Sequence, residues 1–138
     1  MILWMILMFL IDTDIIIYSL KNNENVIQNF KSYSQEPKAV SIITIGELLY
    51  GAYKSQRKIE NLGKVHRIAD IFPVIEISMT IIDTFAHLKA ELTTKGIVVD
   101  EFDLLIGATA LSMNYSVVTN NEKHFNKIPD LKTINWTK

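Results

Sequence analysis

Short apolar, β-branched runs recur along this chain at the spacing of strands separated by helices, and that alternation restricts the fold more than any other feature. The runs are Met8 to Ile11, Ala39 to Ile43, Val74 to Ile77, Ser116 to Thr119 and Thr133 to Trp136. Between the third and fourth, Ile81, Phe85, Leu88 and Leu92 follow helical spacing, with Ser78 before them and Gly96 after them as start and stop signals. Residues 104–113 (LLIGATALSM) are apolar on nearly every face, as a helix buried against a sheet must be. The pattern predicts βαβ units, hence an α/β domain whose central, mostly parallel sheet is flanked by helices on both faces. Ligands in such folds bind beyond the carboxyl ends of the strands.

A chain of 138 residues without repeats or a Pro/Gly-rich linker reads as one domain, residues 1–138. It contains no cysteine, which excludes thiolate catalysis, cysteine zinc sites and disulfides, and suits a reducing cytoplasm. The net charge of -1 favours no class of partner, so any nucleic-acid surface has to be local. Basic segments lie at Lys54 to Lys58, Lys64 to Arg67, and Lys123 with His124, although solvated helix faces account for them better than a nucleic-acid surface does. Residues 1–11 are continuously apolar, yet the run is shorter than the ~20 residues of a spanning helix, lacks a basic flank and ends on Asp12 and Asp14. We read it as a buried first strand without a membrane role, with Met8 a candidate natural start and residues 1–7 an upstream extension.

The informative residues are the acids that follow the strands. Asp12 lies where the first run leaves the core; helix capping explains it alone, and Asp14, directly before IIIYSL, has the stronger claim to the cap. Glu47 follows the second run, and Thr44 three residues earlier matches a capping box. Asp103 precedes the apolar helix and is placed to cap it, with Asp100 a solvated loop residue. Capping leaves unexplained why all these acids fall on one side of the sheet, where like charges repel. A divalent cation relieves that repulsion, and hard oxygen ligands suit Mg²⁺ or Mn²⁺. His66, His87 and His124 are scattered and form no zinc pattern. Metal-assisted phosphodiester hydrolysis is the chemistry that fits.

The segments FLIDTDIIIYSL, SIITIGELLYGAYKS, DLLIGATAL and VVTNNEKHF, closing with LKTINW, resemble the PIN-domain ribonuclease toxins of the VapC family, in order and from Met8 to Trp136. The resemblance implies a PIN-like fold and a Mg²⁺-dependent endoribonuclease, with Mn²⁺ able to substitute. The implied activity is hydrolysis of RNA, tRNA being a family-level guess, by a metal-activated water. Matched by motif, Asp12, Glu47 and Asp103 become the metal-binding and catalytic acids. Thr119 matches a hydroxyl beside the metal, and Asn120 and Asn121 fall where a fourth acid often lies. That departure makes one metal ion firmer than two. Asp14 and Asp100 match supporting positions. The resemblance also implies a cognate antitoxin that enters the cleft, a homodimer and a cytoplasmic location. Tyr50 and Tyr53 are candidate interface residues, whereas Leu48 and Leu49 of the same helix read as core.

Two other readings fit part of the sequence. A non-catalytic PIN-like module that binds RNA or protein draws support from Asn121. A haloacid-dehalogenase-like phosphatase would use Asp12 as nucleophile and Asp14 as general acid. It meets Ile16 where that motif prefers Thr or Val, and it gives Glu47 no role.

Overall fold

The computed structural model describes residues 7–138, so the reading of residues 1–7 as an extension lies outside the described residues except at Leu7. Five strands form a single sheet: β1 (Phe9–Ile11), β2 (Lys38–Ser41), β3 (Val74–Ile75), β4 (Ser116–Val118) and β5 (Thr133–Ile134). Their spatial order is β3-β2-β1-β4-β5, and every neighbouring pair is parallel. Among the described residues the connections carry seven helices: α1 (Thr13–Leu20), α2 (Glu24–Ser32), α3 (Ile42–Tyr53), α4 (Lys58–Ile71), α5 (Met79–Thr94), α6 (Glu101–Met113) and α7 (Glu122–Phe125).

The two-residue period of the strands separates two cores. Phe9 and Ile11 of β1 face a cluster with Ile15, Ile16, Val26, Val65 and Trp136, so α1 to α4 cover that side. Leu10, between them, faces Leu88, Ile106, Val117 and Phe125 on the side of α5 to α7. Burial on both faces accounts for the unbroken apolar character of the strands. Trp136 anchors the chain's end by stacking on Tyr33 and meeting Phe9 edge-on, with centroids 5.5 and 5.2 Å away. No helix among the described residues is long and apolar enough to cross a membrane.

Several boundaries move from the sequence reading, and the caps explain why. β2 stops at Ser41 because the Ser41 hydroxyl accepts from the Ile43 amide at 3.0 Å and opens α3 there, despite the β-branched Ile42, Ile43 and Thr44. The Thr44–Glu47 capping box is therefore not formed; Thr44 is buried within α3. Asp12, not Asp14, caps α1, its carboxylate accepting from the Thr13 amide at 2.9 Å. Asp100, not Asp103, caps α6, accepting from the amides of Phe102 and Asp103. The signals placed around α5 do hold: Ser78 accepts from the Ile81 amide, and Gly96, at φ 70°, ends the segment in the left-handed region that glycine enters without a steric penalty.

Candidate active site

The chain turns away from β1 in both directions: β2 and β3 lie on one side, β4 and β5 on the other. The crevice beyond the carboxyl ends of β1 and β4 is thus the switch point of the sheet, where an open α/β fold has room for a ligand. Asp12 immediately follows β1 and Thr119 immediately follows β4, so both enter the crevice by topology alone.

Asp12 is only 4% exposed. The Thr119 hydroxyl donates to its Oδ2 at 2.8 Å and the Thr13 amide donates to its Oδ1 at 2.9 Å. Thr119 is fixed in turn, because its Oγ1 accepts from the Asn121 amide at 2.9 Å. Asp14, in the first turn of α1, accepts from the Asn120 amide through Oδ2 at 3.1 Å, while its Oδ1 is buried without any hydrogen-bond partner. Glu47 reaches the same place from α3 and accepts from the Thr13 hydroxyl at 2.6 Å. Asp103, in the first turn of α6, lies 3.2 Å through Oδ2 from Nδ1 of His124.

The carboxyl groups disturb one another. Burial, then the charge of Asp14, pushes Asp12 up to about 7, and Asp103 adds to the effect. Asp14 is raised by burial and by Asp103. Glu47 is raised by burial, although Thr13 opposes the shift, and the charges of Asp103, Asp100 and Asp14 raise it further. Burial raises Asp103, with Asp100 adding to the shift and the hydrogen bond from His124 acting against it. Hydrogen bonds through Thr13, Thr119 and Asn120 tie Asp12, Asp14 and Glu47 to one edge of the sheet, and the charge of Asp103 acts on all three, although three separate helices deliver them. Asp100 stays exposed as a cap and contributes only its charge.

The donor atoms of these residues are all carboxylate oxygens, the kind a hard divalent cation takes. Among the described residues, no three His, Asp or Glu side chains are grouped so that they could hold a metal ion by themselves. Mg²⁺ does not need such a cage, since it keeps several waters and takes one or two carboxylates. Asp14 also keeps one buried carboxylate oxygen without a hydrogen-bond partner, an atom whose chemistry suits a cation. Asn120 and Asn121 contribute chiefly through the backbone. The Asn120 side chain instead ties the site to the end of the chain, donating to Tyr18 and accepting from Asn135 and Thr137.

Two functional contacts were not foreseen from the sequence. Thr13 had no assigned role, yet its hydroxyl holds Glu47 and lies 3.1 Å from that of Thr44; its place directly after the Asp12 cap was the available signal. His124 read as an ordinary surface histidine, and it is exposed, but it contacts Asp103 across 21 residues of sequence. Of the other expectations, Leu48 is buried, Leu49 packs against the core, and Tyr50 and Tyr53 are exposed.

Comparison with known proteins agrees with this fold. The family model described as PIN domain matches residues 9–131. Ribonuclease VapC2 of Rickettsia felis is 32% identical over 134 residues, covering 96% of this chain and 100% of that protein. The tRNA(fMet)-specific endonuclease VapC of Shigella flexneri is 30% identical, covering 95% and 99% respectively. Among solved structures, VapBC2 from Rickettsia felis bound to a promoter DNA fragment superposes with a TM-score of 0.87 at 31% identity, covering 94% of this chain and 99% of that one. The phosphatase reading has no counterpart in this family, and it leaves Glu47 idle inside the crevice.

Proposed function

The chain belongs to the PIN-domain family, among its VapC ribonucleases, and from that premise we propose that it is a Mg²⁺-dependent endoribonuclease toxin held in check by a cognate antitoxin. The observation that carries the metal dependence is the group of carboxyls formed by buried Asp12 and half-buried Asp14, Glu47 and Asp103, all raised by burial and neighbouring charge, with one oxygen of Asp14 unpartnered. Asp12, Glu47 and Asp103 are the residues that hold the cation. When bound, Mg²⁺ or Mn²⁺ acidifies water and neutralises charge building on a phosphoryl group. Thr119 fixes the rotation of Asp12, Thr13 that of Glu47, and the Asn120 amide that of Asp14, so the carboxylates meet their ligand already aligned. Asp14 adds negative charge beside Asp12, which offsets in part the neutral Asn121.

Partner and substrate follow from the same premise. An apolar groove of about 440 Å³ runs along α1, α2 and α4 past Leu20, Ile27, Phe30 and Ile71. It shares Leu20 and Lys64 with a recess that reaches Glu47. An apolar groove adjoining a recess lined by Glu47 suits an antitoxin segment, and a related VapBC2 has been crystallised as a complex. One relative's name specifies tRNA(fMet), which makes tRNA the first substrate to try. We also infer a homodimer that uses the exposed Tyr50 and Tyr53, and a cytoplasmic location.

The test is cleavage of total tRNA by the purified chain with Mg²⁺ or Mn²⁺ and with EDTA. Cutting that needs the metal and disappears in Asp103→Asn supports the reading. RNA binding without cutting under any metal condition overturns it in favour of a binding module.

A further inference from the structure

His124 is a polar side chain at the crevice that the proposed chemistry has not used. It sits in the last turn of α7, and that short helix is held firmly. The amides of His124 and Phe125 both donate to the Asn121 carbonyl, at 3.0 and 3.4 Å, and the Asn126 amide donates to the Glu122 carbonyl at 2.8 Å. Phe125, the next residue, is fully buried among Leu10, Ile106 and Val117. The turn thus carries His124 to the crevice while its neighbour anchors the helix in the core. The imidazole Nδ1 stands 3.2 Å from Oδ2 of Asp103.

We propose that His124 is a positioning residue for the metal-binding carboxylate of Asp103. An ionised carboxylate only accepts hydrogen bonds, so in this contact Nδ1 carries the proton and donates. That bond takes up Oδ2 and fixes the rotation of the carboxylate about Cβ–Cγ. Oδ1, which has no hydrogen-bond partner among the described residues, is left for the cation. Each acid of the crevice then has one fixed donor from a neighbouring element: Thr119 for Asp12, Thr13 for Glu47, the Asn120 amide for Asp14 and His124 for Asp103. The last is the only side-chain nitrogen in the set. It follows Asn121 by three residues on the same turn, so one short segment both omits an acid and supplies the donor that aligns another. Partners of this kind around a metal ligand typically change metal affinity about tenfold or more when removed.

The inference rests on the proposed metal site, and the experiment separates the two. Mn²⁺ alone is titrated into the full chain without RNA and followed by electron paramagnetic resonance, alongside thermal melts. His124→Phe keeps a ring and removes the donor; His124→Asn keeps a nitrogen donor the same number of bonds from Cβ. The expected result is a Mn²⁺ dissociation constant about tenfold or more higher in His124→Phe, an affinity close to wild type in His124→Asn, and unchanged melting in both. Should His124→Phe melt early, His124→Ala removes the donor without adding bulk and takes its place. Donorless variants that bind Mn²⁺ as wild type does, or an Asn variant that loses as much as the Phe variant, overturn the positioning role alone. A wild-type chain that binds no Mn²⁺ overturns the metal site and this role together.

Discussion

Replacing Asp12 with Asn should stabilise the metal-free protein at alkaline pH and do nothing of the kind at acid pH. Asp12 is nearly sealed from solvent, and burial with the adjacent Asp14 charge lifts it from 3.8 to about 7. A folded-state value above the unfolded one means that the folded chain retains a proton the unfolded chain has given up. The associated stability is complete below pH 4 and is lost as pH rises through 7. At about 1.4 kcal/mol per pH unit, the ionised carboxylate costs the metal-free fold about 4 kcal/mol at pH 8. Asn carries no charge, but its amide nitrogen meets a Thr119 oxygen that already accepts from the Asn121 amide, a loss of about 1 kcal/mol. The net gain is about 3 kcal/mol, or roughly 10 °C in melting temperature for a domain of this size. Thermal melts in EDTA at pH 4 and pH 8 read this directly. Asp12→Asn should melt above wild type at pH 8 and at or below it at pH 4. Saturating Mg²⁺ should raise the wild type at pH 8 and leave the variant unmoved. A variant that melts below wild type at pH 8 in EDTA refutes the premise that this carboxylate is buried under electrostatic strain.

Further expectations follow from the same contacts. Mn²⁺ affinity should weaken about tenfold per pH unit below pH 7, as Asp12 takes up a proton that the metal must displace; a flat profile from pH 5 to 7 contradicts the assignment. Thr119→Val keeps the shape but strands the Asn121 amide and frees Asp12, so urea denaturation should show a loss of about 1–3 kcal/mol, accompanied by weaker Mn²⁺ binding. Asp100→Ala removes the α6 cap and should cost about 1 kcal/mol in the same assay while Mn²⁺ binding persists; a collapse of binding would place Asp100 among the ligands.

The sheet and the acids were legible because both depend on local chemistry. Apolar runs mark strands buried on both faces, and in a parallel sheet each run must deliver its next residues to the carboxyl edge, so Asp12 could be placed from the alternation, whereas Thr119 was singled out only through the family resemblance. What local chemistry did not decide was which polar residue begins each helix. Asp14 and Thr44 match capping preferences as well as Asp12 and Ser41 do; the choice falls where the parallel ladder ends, and that is set by pairing with β4 and β3. Helices α2 and α4 went unassigned because few of their residues enter the core: only Val26 in the first, and Val65 and Ile68 in the second, are fully buried. His124 is a still more distant case. Nothing near it in sequence points to Asp103, and the contact exists only because the β4–α7 turn folds back over the start of α6.

Capping and metal binding were opposed as explanations of the acids, and the structure shows why they need not compete. A helix N-terminus carries partial positive charge and free amides, so a carboxylate there is stabilised before any cation arrives. Asp12 and Asp14 draw on the start of α1, and Asp100 and Asp103 on the start of α6. Those two helix ends lower the cost of gathering negative charge in a buried crevice, though not enough to return Asp12, Asp14 or Asp103 to ordinary carboxylate behaviour. The remaining imbalance is what a divalent ion removes on binding. A site built this way should lose metal when the charge of Asp12 or Asp103 is removed and lose stability when the Asp100 cap is removed, because only the first change acts on the imbalance itself.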